Sequence, residues 1–140
     1  MRDLILLLVL LFLGCGRRPE PCAGTGQRPL LYLDEAGCLT CNRHFAELCA
    51  TYAKDTSVDL LLRTSGAQLD ITPFTDGPKE HIRWDDDGSI AQCLGLKSSA
   101  AVFFKKQGQV DTVVVIDAHS LEADLAYITS RLPAGAPKKP

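Results

Sequence analysis

Two cysteines separated by two residues are the most reactive feature of this 140-residue sequence. Cys38 and Cys41 have the spacing of one helical turn, so they can form a disulfide with each other or act together on another sulfur. The same spacing suits a permanent disulfide, or half of a zinc site with His44 or Cys49 as further ligands. Thiol exchange, a fixed disulfide and metal binding are therefore the three chemistries that this pair allows.

The pair lies at a predicted junction between a strand and a helix. The apolar run Leu30–Leu33 is followed by turn residues at 34–37, as expected of a buried parallel strand. Apolar residues then recur at helical spacing and predict a helix face packed on the sheet: Cys41, Phe45, Leu48, Cys49 and Tyr52. Polar residues are expected on the other faces of this helix: Asn42, Arg43, Glu47 and Lys54.

Position within that helix predicts different roles for the two thiols. At the start of a helix, free backbone N–H groups and the positive end of the dipole stabilise a thiolate, so Cys38 is the expected nucleophile. Cys41 begins the apolar stripe and is the expected resolving thiol, which is buried and releases the mixed disulfide.

The charges around the pair leave the direction of electron flow open. Arg43 and His44 would favour a thiolate at Cys38, whereas Asp34 and Glu35 would oppose it if their side chains point inward. Reduction, oxidation and isomerisation of disulfides all remain compatible with the sequence, because direction depends on the stability of each redox state.

The rest of the chain predicts a mixed α/β domain. We expect strands at Val58–Leu62 and His81–Trp84, a loop or weak helix over 67–79, and a brief helix at Ile90–Leu94. A hairpin follows, with strands Ala100–Phe104 and Val110–Ile116 and Gly108 at the turn. Ser120 is a suitable N-cap for a last helix whose apolar face ends before Pro133: Leu121, Leu125, Ile128 and Leu132.

This order of elements, with the cysteine pair at the start of the first helix, resembles the thioredoxin superfamily over residues 30–132. The stretch from Asp87 to Phe104 is similar to the acidic turn, short helix, loop and penultimate strand of redoxins. The resemblance implies a three-layer α/β/α fold, with a mixed sheet, a C-terminal β-hairpin and a last helix. It also implies a substrate-docking loop at Ser99 and Ala100. The most similar branch is the membrane-tethered thiol-disulfide oxidoreductases related to the alkyl hydroperoxide reductase and thiol-specific antioxidant family.

Three positions depart from the family pattern. Ala100 stands where the family keeps a cis-proline, and we expect a trans bond there because a non-proline cis bond costs about 3 kcal/mol. Gly37 replaces the usual tryptophan, and Tyr32 replaces the buried acid of thioredoxin proper. These departures keep open an alternative, a catalytically degenerate thioredoxin-fold binding or scaffold module.

Other candidate residues have simpler interpretations. Cys49 lies on the apolar stripe and is expected to be a core residue, whereas Cys93 could pair or stay free and Cys22 lies in the tether. The three histidines, expected at the surface, form no short metal motif: His44, His81 and His119. Trp84 and the Phe103-Phe104 pair are interpreted as core or rim packing. No bound metal or cofactor is expected, and the spacing suits neither a copper-delivery CxxxC nor a peroxidase.

The N-terminal residues predict export from the cytoplasm. Residues 1–14 read as a signal peptide, and Cys15 ends a lipobox-like sequence, which makes it the expected site of lipidation. Residues 15–29 would form a flexible tether, residues 30–132 the domain, and residues 133–140 a disordered tail. We therefore expect a lipid-anchored protein of the bacterial cell envelope whose partners are protein thiols and disulfides. A net charge of -2 argues against nucleic acid as a partner.

Overall fold

The computed structural model describes residues 26–64, 67–76, 80–97 and 100–134. Four predictions fall outside these residues: the signal peptide, the lipidation of Cys15, the part of the tether before Gly26 that includes Cys22, and the docking role of Ser99. Most of the predicted C-terminal tail, residues 135–140, also lies outside them.

The described residues form five strands and four helices, which alternate except at the hairpin of the last two strands. In chain order they are β1 (Leu30–Asp34), α1 (Leu39–Thr51), β2 (Asp59–Arg63), α2 (Thr72–Thr75), β3 (Ile82–Trp84), α3 (Ser89–Cys93), β4 (Ala101–Lys106), β5 (Gln109–Val115) and α4 (Leu121–Arg131). Each predicted strand and helix is present, with bounds that differ by one to a few residues. The segment predicted as a loop or weak helix contains the single turn of α2.

The strands form one mixed sheet in the order β3-β2-β1-β4-β5. The strands β1, β2 and β3 are parallel to one another, while β4 is antiparallel to β1 and forms a hairpin with β5. The predicted α/β class and mixed sheet are confirmed. Since β5 reverses the direction of β4, it runs the same way as β1, and the carboxyl ends of β1 and β5 lie at the same edge of the sheet.

Helices bury both faces of this sheet. On one face, Phe45 of α1 and Ile128 of α4 pack with Leu31 and Leu60 in the larger apolar cluster. On the other face, α3 contributes Ala91 to a smaller cluster, which also holds Leu30, Tyr32, Leu61, Ala101 and Phe103. The alternating faces of β1 supply both clusters, which explains why its four apolar residues are buried, while its fifth residue, Asp34, is buried and hydrogen-bonded.

The short helix α3 is held in place by buried and close-packed polar groups. The carboxylate of Asp85 accepts hydrogen bonds from the backbone N–H groups of Ile90 at 2.9 Å and Ala91 at 2.8 Å. Gly88 has a φ of 72°, and a Cβ atom there would lie 3.0 Å from Cζ of Arg63. A side chain at position 88 would therefore strain the backbone and displace the guanidinium.

The hairpin turn is tighter than the sequence predicts. Only Gln107 and Gly108 separate β4 from β5, and their φ angles are 55° and 78°. Two residues with positive φ are typical of the two-residue turns that match the twist of antiparallel strands. The predicted role of Gly108 agrees with this geometry, while Gln107 adopts the left-handed conformation without being a glycine.

Two expectations about individual side chains are wrong. Asn42 was expected away from the core, but it is 1% exposed because its amide reaches back to β1. His81 was expected at the surface, but it is buried, with Nε2 3.1 Å from the carbonyl oxygen of Tyr52. The interpretation of three aromatic side chains as core or rim packing agrees with the structure: Trp84 lies at the rim of the sheet, and Phe103 and Phe104 are buried.

Candidate functional site

The candidate site is built where β1 ends and α1 begins. The Asp34 carboxylate accepts a hydrogen bond from the backbone N–H of Ala36 at 2.9 Å, and its carbonyl oxygen accepts one from the N–H of Gly37 at 3.2 Å. The Asn42 side chain donates from Nδ2 to the same carbonyl oxygen at 2.6 Å. These bonds close the turn and fasten the first turn of α1 to the end of the strand.

Cys38 occupies the N-cap of α1. Its backbone is extended, its carbonyl oxygen accepts from the N–H of Asn42 at 2.8 Å, and its Sγ accepts from the N–H of Cys41 at 3.4 Å. No acidic side chain lies in the first turn of this helix. The thiol of Cys38 therefore meets unpaired backbone donors and the positive end of the helix dipole, as predicted from its position.

The two sulfurs are in direct contact. Sγ of Cys41 lies 2.6 Å from Sγ of Cys38 and donates a hydrogen bond to it. Cys38 is exposed to solvent, whereas Cys41 is 2% exposed and belongs to the larger apolar cluster. Because a disulfide bond is about 2.05 Å long, the pair can join with little movement of the backbone.

Local interactions push the pKa values of the two thiols apart. Hydrogen bonds from the thiol and the backbone N–H of Cys41 hold the pKa of Cys38 below its ordinary value. Burial, followed by the hydrogen bond to Cys38 and its negative charge, raises the pKa of Cys41 to about 11. One thiol is thus stabilised as an exposed thiolate while its neighbour keeps its proton.

Asp117 is a residue of the site that sequence reasoning missed. It follows β5, at the sheet edge that also holds the end of β1. Its negative charge opposes part of the lowering of the Cys38 pKa and adds a smaller contribution to the raised pKa of Cys41. The N–H of His119 donates to its Oδ1 at 2.7 Å and fixes the carboxylate. The signal that could have found Asp117 is the direction of β5, which brings its last residues beside the turn after β1.

The two acids expected to act on the thiolate have other partners. The Asp34 carboxylate accepts from the Tyr32 hydroxyl at 3.0 Å and lies 3.5 Å from the Arg63 guanidinium. Burial and this contact with Asp34 raise the pKa of Tyr32. Oε1 of Glu35 accepts from the backbone N–H of Leu69 at 3.1 Å.

Of the two residues of the predicted docking loop, the structure describes Ala100. Ala100 is buried in the same cluster as Cys41, and its carbonyl oxygen accepts from the N–H of Ile116 at 2.9 Å. Ser99 lies outside the described residues, within which the structure has no cis peptide bond. Ala100 therefore lines the packed side of the site beside the residues that lead into Asp117.

The remaining cysteines in the described residues differ in state. Cys49 is a free thiol, completely buried on α1, and burial raises its pKa. It is a core residue, as the apolar stripe predicts. Cys93 is exposed at the end of α3 and is disulfide-bonded.

Two cavities lie near the candidate site, and the described residues contain no group of side chains suited to a metal ion. Residues 26–64, 67–76, 80–97 and 100–134 contain no group of three or more His, Cys, Asp or Glu side chains placed to hold a metal ion. A cavity of about 460 Å³ opens beside the turn, with Asp34, Glu35, Arg63 and Asp86 in its wall. A second, of about 310 Å³, lies along α1 beside Arg43.

Three features define the site: two sulfurs are in contact, one of them is exposed and the other is buried, and the exposed one lies at a helix N-terminus. Comparison with protein-family models, curated proteins and solved structures finds no match for this chain.

Proposed function

We propose that this protein is a thiol-disulfide oxidoreductase of the thioredoxin type, with Cys38 as nucleophile and Cys41 as resolving thiol. One observation carries the proposal. An exposed sulfur at a helix N-terminus is in contact with a buried sulfur 2.6 Å away, and their pKa values are shifted in opposite directions. A purely structural disulfide has no need of an exposed, stabilised thiolate.

The arrangement of elements supports a thioredoxin-like domain. A parallel β1-α1-β2 unit and an antiparallel β4-β5-α4 unit share one sheet, with β1 beside β4 at its centre. Long helices on one face and α3 on the other are compatible with the proposed three layers. In this fold the end of the sheet where β1 ends and β4 begins forms the surface where a substrate disulfide would approach Cys38.

The proposed reaction needs no bound cofactor. The Cys38 thiolate attacks one sulfur of a substrate disulfide, a mixed disulfide forms, and the other substrate sulfur leaves as a thiolate. Cys41 then loses its proton and attacks Sγ of Cys38, which releases the second substrate thiolate and leaves a Cys38–Cys41 disulfide. Two electrons pass to the substrate. Its two thiolates take up the proton that Cys41 releases and one proton from solvent, which is the proton lost earlier when the Cys38 thiolate formed. The reverse sequence oxidises a substrate dithiol.

We propose that the protein acts outside the cytoplasm, anchored through lipid on Cys15 to the bacterial cell envelope. The signal-like leader and the lipobox-like sequence support export. No helix among the described residues has both the length and the apolar character needed to cross a membrane.

A redox titration of the full-length protein tests the proposed activity. We expect Cys38 and Cys41 to interconvert between dithiol and disulfide at a potential between about -300 and -100 mV. Thiols trapped by alkylation would be counted for each residue by mass spectrometry. The Cys38→Ser variant should lose reduction of a protein disulfide, and Cys49→Ala, which removes a thiol remote from solvent, should retain it.

The same titration separates the proposal from its alternative. A pair that never forms a disulfide, or never releases one, would leave a thioredoxin-type scaffold that binds partners without turnover. The alanine at position 100 is the feature that gives this alternative weight, because the family pattern has proline there. Partner binding that survives in Cys38→Ser while no wild-type turnover is found would establish it.

A further inference from the structure

Cys93 differs in oxidation state from the other cysteines of the described residues. Cys93 is disulfide-bonded, while the other cysteines of the described residues, Cys38, Cys41 and Cys49, are free thiols. The bonding partner therefore lies outside the described residues. The sequence holds two further cysteines, Cys15 and Cys22.

The position of Gly26 shows where the N-terminal segment meets the domain. Nζ of Lys105, near the end of β4, donates to the carbonyl oxygen of Gly26 at 2.9 Å. Arg28 forms an ion pair of 2.8 Å with Asp59, the first residue of β2. The chain thus arrives at the edge where β1 and β2 begin.

A disulfide to Cys93 requires a cysteine that can come to the sheet face covered by α3. Cys93 is the last residue of α3, which packs on the sheet face that also buries Leu30, the first residue of β1. Four residues of extended chain span up to about 14 Å, so a bond between Cys22 and Cys93 requires Cys93 to lie within roughly this distance, plus one disulfide, of Gly26. A disulfide then needs the two Cα atoms to lie about 4.4–6.8 Å apart.

We propose that Cys22 and Cys93 form a structural disulfide that fastens the N-terminal segment to α3. Both thiols lose their protons, and the two electrons pass to an external disulfide, which is reduced to two thiols as the bond forms. Cys22 is favoured over Cys15 because it lies next to the residues held at the sheet edge. The proposal does not depend on redox activity of Cys38 and Cys41.

With this bond, each of the six cysteines of an exported chain has an assigned state. Lipidation would consume the thiol of Cys15, and the Cys22–Cys93 bond would consume two more. The exchangeable pair and Cys49 remain. Cys49 is the unpaired thiol, and its complete burial protects it from forming a disulfide with another molecule.

Peptide mapping without reduction tests the proposal. The full-length protein, produced in an oxidising compartment, is alkylated and then cleaved after Lys, Arg and Glu. Cleavage at these sites places Cys22 in the peptide 18–35 and Cys93 in the peptide 84–97, separate from every other cysteine. We expect these two peptides joined, with a mass two hydrogens below their sum, and released by a reductant.

Variants distinguish this bond from the proposed active site. The link should persist when Cys38 and Cys41 are both replaced by serine, and in Cys49→Ala. It should disappear in Cys22→Ser, which leaves Cys93 open to alkylation. Cys93 found alkylated in the wild-type protein, joined to Cys15, or joined to a second copy of itself would each overturn the proposal, whatever the outcome of the redox titration.

Discussion

At the scale of single residues, the site divides one reaction between two thiols of the same type. Cys38 and Cys41 differ because one caps a helix in contact with solvent and the other is buried in the apolar cluster below it. Each thiol also changes the other: the Cys41 S–H group stabilises a thiolate on Cys38, and that thiolate opposes ionisation of Cys41. Removing either sulfur should therefore alter the acidity of the one that remains.

The Cys41→Ala variant tests this mutual effect. We expect the pKa of Cys38 to rise, because the variant loses the thiol hydrogen bond, which is the largest cause of its lowered value. The rate of alkylation of Cys38, followed against pH, should reach its midpoint at a higher pH than in the reduced wild-type protein. Cys49→Ala serves as the control. An unchanged midpoint in Cys41→Ala would show that the helix terminus alone sets the acidity.

The charge of Asp117 can be tested without disturbing its hydrogen bond. In Asp117→Asn, Oδ1 can still accept from the N–H of His119, but the negative charge that opposes ionisation of both thiols is lost. We expect Cys38 to be alkylated about two- to threefold faster near neutral pH. The effect is small because solvent and salt partly screen the charge. Asp111→Asn, which removes another exposed acid that follows the hairpin turn, should leave the rate unchanged. Equal effects of the two variants would exclude a local role for Asp117.

At the scale of elements, the site depends on how firmly α1 is fastened to the end of β1. Asn42 makes that connection, although its place in the sequence among polar residues gave no sign of burial. Helical periodicity identifies the apolar face, but it cannot identify an amide that satisfies a strand carbonyl. The packing of Phe45 and Cys49 could be predicted because it depends on spacing, whereas the Asn42 bond depends on the path of the turn at 34–37.

The Asn42→Ala variant measures that connection. The loss of a buried hydrogen bond leaves the Asp34 carbonyl oxygen with one partner fewer, so we expect the free energy of unfolding to fall by about 1–3 kcal/mol. Urea unfolding of the reduced protein gives this value. Its neighbour Arg43 is exposed, and Arg43→Ala should change the free energy by less than about 0.5 kcal/mol. Similar losses in the two variants would show that Asn42 contributes only helix propensity.

Sequence patterns predicted the elements better than the contacts between them. Apolar runs and turn residues located every strand, because each run must bury at least one face in the sheet. Asp117 was not found because its approach to Cys38 depends on the pairing of β1 with β4 and of β4 with β5. The ion pair of Asp34 with Arg63 and the hydrogen bond from Leu69 to Glu35 could not be predicted for the same reason, because the partners are distant in sequence.

At the scale of the whole molecule, the two ends of the sheet have different tasks. One edge, where β1 and β5 end, holds the sulfur pair and Asp117. The opposite edge receives the N-terminal segment through the contacts of Gly26 and Arg28. The proposed Cys22–Cys93 bond would add a third attachment, on the face covered by α3.

The position of Gly26 has a consequence for a protein held at a membrane. A lipid on Cys15 would attach the domain through the edge where β1 begins, and the reactive sulfurs lie at the opposite edge, about 17 Å away along β1. Large soluble substrates could then approach without meeting lipid headgroups.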